Sequence, residues 1–182
     1  QKKFHVGGIL RGEQIWCQLF SEPAAGSDLA GLRTRSKRDG DDWVINGQKI
    51  WTSGAHQADY GILVTRSDPT AEKHKGLTYF FVDMKTPGIE VRPIKQISGL
   101  SNFNEVFFTD ARVPKANIVG KRGEGWKIAN TTLKHERNSL NSNGEGSMVR
   151  LMKLMTREKV NGVTAMDSPI LRDRLMALQG LS

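Results

Sequence analysis

The chain of 182 residues has a single cysteine, Cys17, so no disulfide can form within it and a reducing compartment is the default expectation. Its four histidines, at positions 5, 56, 74 and 135, include no pair at metal-ligand spacing, which argues against a zinc site. No apolar run reaches the length needed to span a bilayer, and no signal-peptide pattern opens the sequence. An initiating methionine is also missing, so the chain reads as an internal piece of a longer protein. The net charge of +8 invites a nucleic-acid reading, yet the basic residues are dispersed and no RNP, zinc-finger or helix-turn-helix signature accompanies them. A hydrophobic content of 37% with 25% charged residues excludes a disordered chain.

Strands dominate what is there, from about Ile15 to Val119. Trp43-Val44-Ile45, then Gln48 to Trp51, flank Asn46-Gly47, the strongest local signal for a type I′ hairpin because both residues tolerate positive φ. YGILVTR (60–66), LTYFFVDM (77–84), GIEVRPI (88–94) and NEVFFTD (104–110) follow, separated by turn chemistry at Asp68-Pro69, His74-Lys75-Gly76 and Pro87-Gly88. Short strands with no helices between them predict an antiparallel sandwich or barrel-like domain. The pattern then changes. Trp126, Ala129, Leu133, Arg137 and Leu140 fall at helical spacing in a proline-free run to about Arg157, with a break expected near Gly144 and Gly146. Asn161-Gly162 ends that run, and Ser168-Pro169 opens a further helix to about Gln179.

Two motifs carry more. SEPAAGSD (21–28) and INGQKIWTSG (45–54) resemble the loop and strand signatures of the FAD-dependent acyl-CoA dehydrogenases. The resemblance continues through PGI (87–89), VP (113–114), GEGW (123–126) and the L-x-x-E-R of Leu133 to Arg137, in order and over nearly the whole chain. It implies an α+β fragment: the end of an N-terminal helical domain (1–14), a middle β domain (15–121) and the first helices of a C-terminal α-helical bundle (122–182). It also implies FAD as cofactor and an acyl-CoA thioester as substrate. The reaction would remove an α proton and pass a β-hydride to flavin N5, giving a trans-2-enoyl-CoA.

By the same resemblance, Ser21 takes the position that hydrogen-bonds the flavin near N5, and Trp51 stacks on the isoalloxazine face with Ser53 hydrogen-bonding beside it. Gln18, Phe20, Gly26 and Thr52 complete the cofactor set, and Ser27 serves both cofactor and substrate. Small residues at 24–26 would let backbone amides approach the flavin carbonyls and ligand phosphates. Lys134 and Arg137 fall at substrate-binding positions. Glu136 matches the base of the members that take it from the first C-terminal helix; others take it from a late helix, and both alternatives stay open. His135 reads as a polar helix-face residue. Two departures stand out. Gln18 occupies a position where many members carry Tyr, and Arg157 to Gly162 lacks the phenylalanine of an R-x-x-F-G segment that reaches a partner's cofactor. The family suggests dimers or tetramers, homo- or heteromeric, and electron-transfer flavoprotein as acceptor. It places the protein in the cytoplasm of a bacterium or the matrix of a mitochondrion. Three further readings remain at this point: an oxidase or monooxygenase on the same fold, a non-catalytic partner subunit, and a basic nucleic-acid binder.

Overall fold

The computed structural model describes residues 2–142 and 145–180. The chain divides into two compact units, Gln1–Asn130 and Thr131–Ser182, taken here one at a time.

The first unit opens with α1 (Lys2–Leu10) and β1 (Trp16–Leu19). β2 (Arg35–Asp39), β3 (Asp42–Ser53), β4 (Tyr60–Arg66), β5 (Leu77–Asp83), β6 (Ile89–Ile94), β7 (Phe103–Pro114) and β8 (Ile118–Val119) follow. Seven of them run in the order β6-β7-β3-β2-β4-β5-β8, with β1 off the path on β4. β5 covers one edge of β4 along its whole length, so β1 (opposite Tyr60–Leu63) and β2 (opposite Arg66) share the other edge. Both of those pairings are parallel, where the sequence pattern predicts only antiparallel ones. The α+β organisation with a sheet-rich middle domain is the one the sequence implies.

One core joins β1, β3, β4, β5 and β7. Leu19, Ile45, Leu63, Phe80 and Val106 are fully buried, and Trp43, Phe108 and Val113 nearly so. The alternation of inward residues is reset by bulges. On β7 it runs Val106, Phe108 and then Ala111, Val113, because the pairing with β3 shifts between Ile45 and Gly47.

That shift overturns the hairpin expected at Asn46-Gly47. β3 passes through both residues without a turn, and the hairpin lies at Gly40-Asp41, with Gly40 at φ 60 as a type II′ turn requires. Asn46 and Asp110 instead exchange two side-chain hydrogen bonds of 2.9 Å across the bulge. Gly47 has φ 149, and a Cβ there would stand 2.7 Å from the Thr34 Cα. Gly47→Ala should therefore lower the urea midpoint by an amount equivalent to about 1–3 kcal/mol. An unchanged midpoint would show that the backbone at Thr34 yields without cost.

The GEGW stretch has a comparable cause. Gly123 sits at φ 87 with its N–H donating to Thr78 Oγ1 (3.1 Å), and a Cβ on Gly125 would lie 2.7 Å from the Leu77 carbonyl carbon. Glycine lets the first turn of α2 (Gly125–Ser142) lie against β5, where the Trp126 ring meets that of His74 at 4.5 Å.

In the second unit α2 ends at Ser142 and α3 (Glu145–Arg157) begins at Glu145; Gly146 lies within α3, and the rest of the expected break falls on residues 143–144, outside those described. Gly144 and the Leu140 side chain lie outside the described residues. β9 (Lys159–Val160) and β10 (Val163–Thr164) form a small hairpin across Asn161-Gly162, at φ 56 and 82. The Asn-Gly pair that makes a type I′ turn is this one. After a 3-10 turn at Ala165–Asp167, α4 (Pro169–Gly180) closes the unit. Met155, Ala165 and Leu175 form its small core. No helix among the described residues is long and apolar enough to cross a membrane.

Candidate functional site

The segment leaving β1 is shaped by a carboxylate inside the protein. Glu22 and Ala25 exchange backbone hydrogen bonds (2.9 and 3.0 Å), closing a tight turn with Pro23 at its second position. The Glu22 side chain turns inward, where it is 6% exposed together with the backbone around it. It accepts from the backbone N–H of Arg33 (2.6 Å) and of Thr34 (3.0 Å) and from Lys49 Nζ (2.8 Å). Lys49, on β3, is 0% exposed and also donates to the Phe20 carbonyl (3.0 Å). Burial pushes the Lys49 amine down to about 8, against the opposing pull of Glu22. Burial alone would raise Glu22, but the Lys49 charge and the hydrogen bonds from Lys49, Arg33 and Thr34 outweigh it and hold the carboxyl below its ordinary range.

Just beyond Lys49 the β3–β7 register shifts again, between Lys49 and Thr52. Trp51 sits in this bulge at φ 60, a left-handed conformation that costs a bulky residue about 1–3 kcal/mol. The strain turns the indole outward, 58% exposed, with the Phe103 ring edge-on at 6.2 Å. Trp51 and Ser53 share the exposed face and Thr52 is buried between them. Asn104 holds the bulge from below: its side-chain amide donates to the Thr52 carbonyl (2.9 Å), and its oxygen meets His56 Nδ1 at 3.2 Å. Ile50 N–H donates to the Ser21 carbonyl (2.9 Å), so Ser21 lies alongside the strand that carries Trp51.

The first unit thus brings Ser21 alongside the strand that carries Trp51 and Ser53; Ser21 is half-buried, as is Gln18 on β1, opposite Ile62. Gly26 and Ser27 are exposed further along the loop, next to Asp28, which is paired with Lys73 at 2.6 Å. A Cβ on Gly26 would meet nothing within 4 Å, so the chain's own packing does not demand glycine there. Phe20 and Thr52 are buried, Phe20 edge-on to Tyr79 at 5.9 Å, and the Thr52 hydroxyl has no hydrogen-bond partner among the described residues. In the second unit Lys134, Glu136 and Arg137 are exposed on α2. Sequence reasoning missed Lys49, Glu22 and Asn104. The available signal was a lysine and a glutamate standing inside the two motifs, each amid residues that are otherwise apolar or small.

Two serines, Ser21 and Ser53, an exposed aromatic plate and open backbone at Gly26 suit a planar, heteroatom-rich ring such as a flavin. Among the described residues no group of His, Cys, Asp and Glu could hold a metal ion. Cys17 is buried, with its thiol pushed up to about 12 by burial, and is not a nucleophile.

The model of the acyl-CoA dehydrogenase middle domain matches residues 17–111. The chain belongs to the acyl-CoA dehydrogenase family. This family is FAD-dependent in general. Among curated relatives, acyl-CoA dehydrogenase FadE34 of Mycobacterium tuberculosis is 56% identical over 132 residues, 72% of this chain and 19% of the relative. The solved Tcur3481-Tcur3483 steroid ACAD is 39% identical with a TM-score of 0.76, covering 99% of this chain and 46% of its own. The ChsE4-ChsE5 complex from Mycobacterium tuberculosis is 32% identical with a TM-score of 0.69, covering 100% and 48%. The chain spans less than half the length of the curated relatives FadE34 and IpdE1.

The bulge holds Trp51 outward at a cost in backbone strain that packing within the first unit does not explain. Trp51→Gly should weaken FAD binding by the full-length protein about tenfold or more while leaving its apo melting temperature equal or higher. Fluorescence titration and a thermal melt check both. A fall in melting temperature with unchanged FAD affinity would make Trp51 a packing residue.

Proposed function

We propose that the full-length protein is an FAD-dependent acyl-CoA dehydrogenase that introduces a trans-2,3 double bond into an acyl-CoA. The observation that carries this is the strained, outward Trp51 with Ser53 on its exposed face and Ser21 alongside. Trp51 orients the ring and excludes water from one face, and the hydroxyls of Ser21 and Ser53 hydrogen-bond its polar edge. Gln18 and the open backbone at Gly26 complete the cradle, and Ser27 reaches the bound ligands. Bound there, FAD supplies the acceptor for the β-hydride. Glu136 takes the α proton onto a carboxylate oxygen, and Lys134 and Arg137 attract the anionic thioester ligand.

The domain boundaries proposed on this reading, distinct from the two compact units of the fold, are 1–14, 15–121 and 122–182. The acyl group proposed is bulky and steroid-derived, by analogy with the steroid ACAD, and the assembly heteromeric, by analogy with the ChsE4-ChsE5 complex. Electron-transfer flavoprotein is the proposed acceptor, and a bacterial cytoplasm the proposed location.

Incubation of the full-length protein with FAD, an artificial one-electron oxidant and a panel of straight-chain and steroid-derived acyl-CoAs tests the reading. One thioester should lose two hydrogens by mass spectrometry, with matching reduction of the oxidant. Turnover of straight-chain substrates alone would overturn the steroid assignment. Loss of mass from none of them would leave a partner subunit in place of an enzyme.

A further inference from the structure

The most deeply buried charge in the first unit takes no part in the chemistry above. Lys49 Nζ bonds the Phe20 carbonyl and Glu22, the residues on either side of Ser21. Lys49 is itself two residues before Trp51, and Ile50 between them bonds the Ser21 carbonyl. On its far side Glu22 holds the N–H groups of Arg33 and Thr34, and Thr34 Oγ1 donates to the Gln48 carbonyl at 3.3 Å. One ion pair therefore ties the exit of β1, the Pro23 turn and the entry to β2 onto the strand that carries the aromatic plate.

We propose that Lys49 and Glu22 are positioning residues, an ionic clasp that fixes Ser21 relative to Trp51 and Ser53 and so sets flavin affinity and environment without touching the ligand. The proposal rests on the flavin-binding reading of the site. Folding alone does not call for charge at this place. A buried ion pair contributes little net stability compared with apolar side chains of the same size, because desolvating both ions offsets their attraction. What the pair does supply is direction. Lysine donates along fixed lines to a carbonyl and a carboxylate, and the carboxylate in turn fixes two backbone amides, whereas a methionine would fill the space without specifying where the loop lies.

The test is the double substitution Glu22→Gln with Lys49→Met in the full-length protein, which removes both charges and keeps the volume. The melting temperature should stay near that of the parent. FAD should dissociate on the order of tenfold more readily, and the resolved shoulders of its visible band should blur, as expected of a ring held loosely. A folded double variant with unchanged FAD affinity and band shape would overturn the proposal. Should the double variant fail to fold, hydrogen exchange on the parent decides. FAD should further slow the amides of Arg33, Thr34 and Ile50, and equal exchange with and without FAD overturns the clasp. A parent that binds no FAD overturns the flavin reading and the clasp with it.

Discussion

Replacing Glu136 with glutamine should slow the reduction of bound flavin by an acyl-CoA by about 10²–10⁴-fold, the range that a positioned general base supplies. Glutamine keeps the shape of glutamate and lacks an oxygen basic enough to take an α proton, so binding should survive while the rate falls. The α proton of a thioester is weakly acidic, and its removal needs a carboxylate whose basicity is raised by a dry environment. Glu136 is exposed on α2, so to act as the proposed base it would need substrate binding to exclude water. The split between binding and rate therefore carries the information. A variant that binds acyl-CoA normally and reduces flavin at the parental rate would assign the base to a residue outside 1–182. Arg137→Ala should behave differently, weakening binding with a smaller effect on the rate, as expected of a cation that attracts an anionic ligand.

Lys49→Met on its own should destabilise the first unit by roughly 3–5 kcal/mol, a large share of the stability of an ordinary domain. The loss comes from the partner left behind. Glu22 would keep the Arg33 and Thr34 amides but would stand as an uncompensated charge at 6% exposure. Adding Glu22→Gln should recover most of that loss, and a denaturation cycle over the four proteins measures the coupling. The same carboxylate sets an acid limit. Its folded pKa lies below the ordinary 4.5, so the unfolded chain binds the proton more readily. Its stabilisation is fully present above about 4.5 and is lost as pH falls through the lower, folded value. In Glu22→Gln the acid side of the stability curve should be shallower; an unchanged acid limb would place Glu22 outside the groups that govern acid unfolding.

Much of this was legible in the sequence, for identifiable reasons. β4, β5, β6 and β7 announce themselves as runs of β-branched and aromatic residues between turn dipeptides, and local signals suffice for them. Asn46-Gly47 misleads because the type I′ preference is local, whereas Gly40 and the Asn46–Asp110 exchange decide where the chain reverses. The parallel seating of β1 on β4 joins residues 44 positions apart, from Trp16 to Tyr60, and no periodicity encodes it. For the proposed site, the two motifs point to the segments around Ser21 and Trp51 but not to the direction of each side chain. The bulge at Trp51 shifts the alternation, so Thr52 is buried where its neighbours are exposed. Glu22 and Lys49 are visible as letters, but their pairing across 27 residues follows only from β3 crossing the exit of β1.

The central claim is that this chain forms the flavin platform of an acyl-CoA dehydrogenase. Anaerobic titration of the purified full-length protein with the acyl-CoA panel, followed at the visible flavin band, tests it most directly. The account predicts a flavin band that at least one thioester bleaches, at a rate that falls sharply in Glu136→Gln. A protein with no flavin band, or with a band that no acyl-CoA bleaches, would contradict it.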